Sequence, residues 1–198
     1  MASAQQWKDL LDLWTQKLEC RWGELVKDAS DWGLTIEPGL SSVMRQGCSS
    51  EELSGLEHRL QVELPPSYKT FLMVSNGAYL LERPFKLLSS EDVGWFEDID
   101  PKLVNLWEQA SYTASDEEYF TYGRFQDSVH MRSEYIRKCL LVSSSFEGDQ
   151  YLLNPEIISD TGEWEAMDLG HRNPGAKRYR SFWDLMNAGY SNIDGYLG

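Results

Sequence analysis

The stretch Ser49–Gly77, SSEELSGLEHRLQVELPPSYKTFLMVSNG, decides the fold. It opens on a capping box. Ser49 and Glu52 stand three apart, so each side chain can accept a hydrogen bond from the other residue's backbone N–H. Leu53, Leu56 and Leu60 then recur at helical spacing and define one apolar face. Leu64-Pro65-Pro66 ends that helix, because proline lacks the N–H that continuation needs. A shorter helix is expected from about Pro66 to Ser75, with proline near its start and Asn76-Gly77 at its stop. Gly77 suits a left-handed cap position.

Upstream, Trp7, Leu10, Leu11, Trp14, Leu18, Trp22, Leu25 and Val26 fall at three-or-four spacing, which predicts an amphipathic helix over about 5–28. Its tryptophans read as core, or as a docking stripe. Gly33 to Gly47, with Pro38 and Gly39, reads as a connector. Downstream of Gly77 the period shortens. Tyr79-Leu80-Leu81, Phe85-Lys86-Leu87-Leu88 and Cys139-Leu140-Leu141-Val142 read as strands, and the last pairs with Gln150-Tyr151-Leu152-Leu153 in a hairpin that bends near Gly148. A further strand is expected at Glu163 to Leu169. A closing helix is expected from Ser181, with Asp184 three residues on, burying Phe182, Leu185 and Met186 and stopping at Gly189. Helices first, then short strands, then a helix is an α+β order with a mostly antiparallel sheet. The 198 residues read as one domain.

Leu56-Glu57, Leu64-Pro65, Tyr68, Phe71, Leu72 and Asn76-Gly77, in that order, resemble the signature of the SUKH superfamily, which includes yeast Knr-type cell-wall regulators and bacterial toxin-immunity proteins. Leu140 to Asn154 resembles the family hairpin, and Ser181-Phe182-Trp183 the start of its final helix. The resemblance fades between Glu91 and Met131, and Ala78 stands where the family often has a second glycine. It implies a twisted sheet with helices packed against it, used as a protein-binding scaffold without a catalytic centre.

Charge restricts the partners. A net charge of −14 opposes nucleic acid and anionic membranes, and a basic protein is the natural complement. Glu91 to Asp127 alone holds ten acidic residues against Lys102 and Arg124, interleaved with eight aromatic rings. Acids that steer a cationic protein, among rings that anchor it, place the expected interface at Trp95, Glu97, Asp98, Asp100, Trp107, Asp116, Glu117, Glu118 and Tyr119. The competing reading is that these rings face the core while the carboxylates solvate a loop.

Other chemistries find little support. Glu97-Asp98-Ile99-Asp100 lacks the glycine and distal glutamate of a calcium loop. His58, His130 and His171 are far apart, with no HExxH, and there is no GxSxG, GxxxxGK[ST] or GxGxxG. Cys20, Cys48 and Cys139 are odd in number and show no CxxC spacing, so neither a disulfide framework nor a zinc site is expected. The basic run His171–Arg180 could hold a phosphate, although ion pairing within the chain is the expected use. The N-terminus has no signal-like apolar run and no stretch reaches eighteen apolar residues, so a cytoplasmic location is expected. No cofactor or metal is expected. The leading expectation is an immunity protein that neutralises a cationic toxin, a nuclease among the candidates. A regulatory scaffold and a small-molecule-binding domain are the alternatives.

Overall fold

The computed structural model describes residues 2–31, 42–80, 86–145, 147–170 and 174–193. The helix expected near the N-terminus is α1 (Ala4–Asp31). Trp7, Leu10, Leu11 and Trp14 are buried along it, while the side chains of Leu18, Trp22, Leu25 and Val26 lie outside the described residues.

The deciding stretch folds as its local signals require. In α2 (Ser50–Leu60) the Ser49 hydroxyl accepts from the Glu52 N–H while the Glu52 carboxylate accepts from the Ser49 N–H at 2.7 Å. These bonds hold the Glu52 carboxyl below its ordinary range. Glu57 reaches past the end of α2 to accept the Leu64 N–H at 2.9 Å, which sets the path into the prolines. α3 (Pro66–Val74) follows, with proline at its first position. Its Ser67 donates through both N–H and hydroxyl to the buried Glu163 carboxylate, tying the helix N-terminus to the sheet. Asn76 pairs its carboxamide with the Ser90 N–H and hydroxyl, at 2.6 and 3.1 Å. Gly77 has φ +91°, and a Cβ there would stand 2.9 Å from the Leu87 carbonyl oxygen, so both conformation and space demand glycine. Ala78 is buried and paired with Leu87, so the signature's missing glycine leaves the turn a strand partner.

The strands are β1 (Ala78–Tyr79), β2 (Lys86–Leu87), β3 (Gly94–Trp95), β4 (Leu140–Leu141), β5 (Gln150–Ile158), β6 (Trp164–Gly170) and β7 (Gly175–Tyr179). Every named pairing is antiparallel. β1 and β2 form a small sheet, and the other five form a sheet in sequential order. The expected hairpin is β4–β5, with Gly148 at φ +85°. Leu81 and Phe85, included in the strand reading, lie outside the described residues. β5 slips register between Asn154 and Ile158, where Pro155 cannot donate to the ladder. The closing helix corrects one expectation. It is α8 (Phe182–Ile193), which runs through Gly189; that glycine is buried inside the helix and does not end it. The Ser181 hydroxyl accepts the Asp184 N–H, as the spacing implies.

Both faces of the five-stranded sheet are covered. Leu140, Leu153, Tyr151 and Ala166 face α1, α2, α3 and α8 in one core, where Trp7, Tyr68, Phe71 and Phe182 interlock with ring centroids 4.9–6.1 Å apart. Leu141, Leu152, Met167, Leu169 and Ala176 face the other way. Over them lie α4 (Phe96–Ile99), α5 (Pro101–Gln109), α6 (Asp116–Tyr119), a 3-10 turn at Gly123–Phe125 and α7 (Ser133–Ile136). The acidic, aromatic segment is therefore the layer that closes the second face.

Candidate protein-binding face

That second layer is built from short, capped helices. Asp100 starts α5 by accepting the Leu103 N–H at 3.0 Å, and Pro101 takes its first position. Ser115 and Glu118 form a second capping box for α6, which holds the Glu118 carboxyl below its ordinary range. Phe96 and Val104 are buried against the sheet, with Trp107 and Tyr112 half-buried beside them. Tyr119 is wholly buried. Its expected role as an interface anchor is corrected on that ground, since a side chain with no exposed surface offers none to a partner. Trp95 packs against the first core from β3 and is half-buried.

The acids divide by what they touch. Arg137 grips Glu108 with two parallel bonds at 2.9 and 2.6 Å, and bonds Glu97 and the Asn105 side chain as well. This holds the Glu108 carboxyl low and the Arg137 guanidinium high. Arg132 bonds Asp116 and the Ala114 carbonyl, and His130 lies 3.7 Å from Glu118. Much of the local charge is thus spent fastening the layer to itself. Asp98 and Glu117 are exposed and make no ion pair among the described residues. Beside them the layer exposes Ile99, Leu106 (62 %), Phe120 and Phe125 (74 %).

Beneath this layer lies a group that spacing did not reveal. Glu165 of β6 is buried and accepts from the hydroxyls of Tyr119 (2.5 Å) and Tyr122 (2.7 Å) and from the Asn154 carboxamide (3.0 Å). Burial raises its carboxyl above the ordinary range, although these donors and nearby Arg178 oppose the rise. Arg178 is also wholly buried, with its guanidinium 4.4 Å from the Tyr119 ring centroid. The described part of the basic run, from Pro174 on, is used differently from the expectation. Gly175–Tyr179 is a sheet strand, and Lys177, Arg178 and Arg180 stand over aromatic rings and form no salt bridge among the described residues. His171, Arg172 and Asn173 lie outside the described residues. The one available sequence signal was Glu165 itself, an acid in phase with Met167 and Leu169 on a strand face otherwise apolar.

Among the described residues no three His, Cys, Asp or Glu side chains converge in a way that could hold a metal ion. No helix there is long and apolar enough to cross a membrane. Cys48 and Cys139 are buried, and burial raises both thiols above their ordinary range, whereas Cys20 is exposed.

No curated protein matches the chain. The SMI1 / KNR4 family (SUKH-1) matches residues 47–188, a span that takes in the deciding stretch, both sheets and most of the closing helix. The chain belongs to the SMI1 / KNR4 family.

Proposed function

We propose that this chain is a non-enzymatic protein-binding domain of the immunity type, which neutralises a basic toxin by laying its second-face layer over the toxin's cationic groove. One observation carries the reading: α4, α5 and α6 present carboxylates that make no ion pair among the described residues, Asp98 and Glu117, together with exposed Ile99, Leu106 and Phe120, on a layer fastened from below by buried rings. Charges of this kind steer a cationic partner, and exposed apolar side chains slow its release. Trp107, half-buried, contributes its exposed edge. Glu97, Asp100, Asp116 and Glu118 shape the layer through bonds within the chain, and the remaining charge on their carboxylates adds to the field.

The test is capture from a lysate of the source organism, with elution by stepwise salt. One strongly basic protein is expected, and D98K/E117K should slow its association about tenfold or more at low salt. Recovery of several signalling or wall-synthesis proteins would favour the regulatory scaffold. An unchanged rate would remove this layer as the interface.

A further inference from the structure

Phe120, 45 % exposed, closes α6, and Asp116 and Glu117 precede it by four and three residues. Its N–H bonds the Asp116 carbonyl at 2.9 Å, so the helical turn continues through it. At about 3.6 residues per turn, Asp116 and Glu117 flank Phe120 on opposite sides, about 40° and about 60° round the axis. The Asp116 flank is filled. Arg132 bonds the Asp116 carboxylate, the Ala114 carbonyl at 3.0 Å and the Tyr135 hydroxyl at 3.2 Å. Its guanidinium lies 4.9–6.0 Å from the ring centroids of Tyr119, Phe120 and Tyr135.

The Glu117 flank has the same parts, a carboxylate beside the Phe120 ring, and among the described residues Glu117 enters no ion pair. The ring itself is held in place, edge-on to buried Tyr119 with centroids 5.3 Å apart and planes at 82°. Arginine over a ring recurs throughout this region. Arg124 lies 4.4 Å from the Phe125 centroid, Arg178 4.4 Å from Tyr119 and Arg180 4.7 Å from Tyr122. A planar guanidinium can stack on a ring while its edge bonds a carboxylate, which the compact, strongly hydrated lysine ammonium does not do. Charge decides where such a guanidinium comes from. A net charge of −14 opposes a second copy of this chain and favours a basic protein.

We propose that the Glu117 flank of α6 seats an arginine side chain of the basic partner, stacked on Phe120 and bonded to the Glu117 carboxylate, in the manner of Arg132 on the Asp116 flank. The inference rests on the protein-binding reading and deepens it, from a cationic partner to one that presents arginine rather than lysine at this point.

The probes are two capped peptides of equal charge, Gly-Arg-Gly-Arg-Gly and Gly-Lys-Gly-Lys-Gly, titrated into 15N-labelled protein at low salt. Because the charges match, the general acidic field cancels in the ratio of the two affinities. Saturable shifts are expected at the Glu117, Phe120 and Thr121 amides, with the arginine peptide tighter by about threefold or more. Phe120→Leu keeps apolar bulk and removes the ring, and should bring the two affinities together. Glu117→Gln, at an exposed site, removes the charge without touching the packing and should shrink the preference as well. Equal affinities in the unaltered protein, no saturable shift with either peptide, or a preference that survives both substitutions overturns the proposal. Slower association of D98K/E117K with the captured partner would still stand in that case, and with it the charge-steered face. An unchanged rate with D98K/E117K removes the layer as the interface, and the partner's use of this seat falls with it whatever the peptides show.

Discussion

The two faces of the five-stranded sheet are covered by different physics. On the first, α1, α2, α3 and α8 bury interlocked rings and aliphatic side chains, and the polar atoms caught among them are left over: Trp7 Nε1, Trp14 Nε1 and the Tyr68 hydroxyl have no hydrogen-bond partner among the described residues. Burial drives the Tyr68 hydroxyl far above its ordinary range. The second face also leaves polar atoms without partners among the described residues, at Trp107, Gln150 and Arg178, but there Tyr119, Tyr122 and Asn154 converge on the buried Glu165 carboxylate and organise the packing around it. Non-directional burial tolerates an orphaned hydroxyl at a modest cost, whereas a buried carboxylate requires donors in fixed positions. The second arrangement therefore holds short helices, marginal by themselves, in one place.

Substitutions on the two faces test that contrast. The largest effect is expected at Phe71, which touches Trp7, Tyr68 and Phe182; Phe71→Ala should cost about 3–5 kcal/mol in chemical denaturation. A cost near that of an exposed site would mean the ring cluster is not the anchor of the first face. The same tyrosine-to-phenylalanine change should then act with opposite sign on the two sides. Tyr119→Phe removes a donor to a buried carboxylate and should destabilise by about 1.5–3 kcal/mol, while Tyr68→Phe removes an orphan and should be neutral or stabilising. Equal costs would erase the distinction.

The smallest expected effect is a pH dependence at Glu165. Its carboxyl is raised in the folded protein, so the stability it contributes is fully present below the ordinary glutamate range and is lost as pH rises through the folded value. Glu165→Gln cannot ionise. The stability difference, unaltered protein minus variant, should therefore fall as pH rises across that window and then level off. Denaturation curves at a series of pH values would show it, and a constant difference would mean that the donors and Arg178 fully offset burial.

Legibility followed the distance over which each signal acts. The capping box at Ser49, the Leu64-Pro65-Pro66 break, the Asn76-Gly77 stop and the β4–β5 bend depend on residues a few positions apart, and all appear where the pattern put them. The helix passing through Gly189 shows the limit even there, because packing overrides a weak local stop. Between Glu91 and Asp127 the residues carried real signals, aromatic and acidic, but two uses fit the same composition. Phe96 and Tyr119 went to the core, Phe120 and Phe125 remained largely exposed, and nothing in their spacing distinguishes them.

By itself, then, the sequence determined the family, the α+β order, the first-face helices and an acidic surface charge, because each follows from local periodicity, capping or composition. Only the tertiary structure decided that the acidic segment roofs the second face, that Arg178 lies over Tyr119, and that the buried Gln150 carboxamide finds no hydrogen-bond partner among the described residues. These depend on contacts between distant residues, such as Tyr119 and Glu165, which are 46 positions apart, and a local pattern holds no record of which distant partner will arrive.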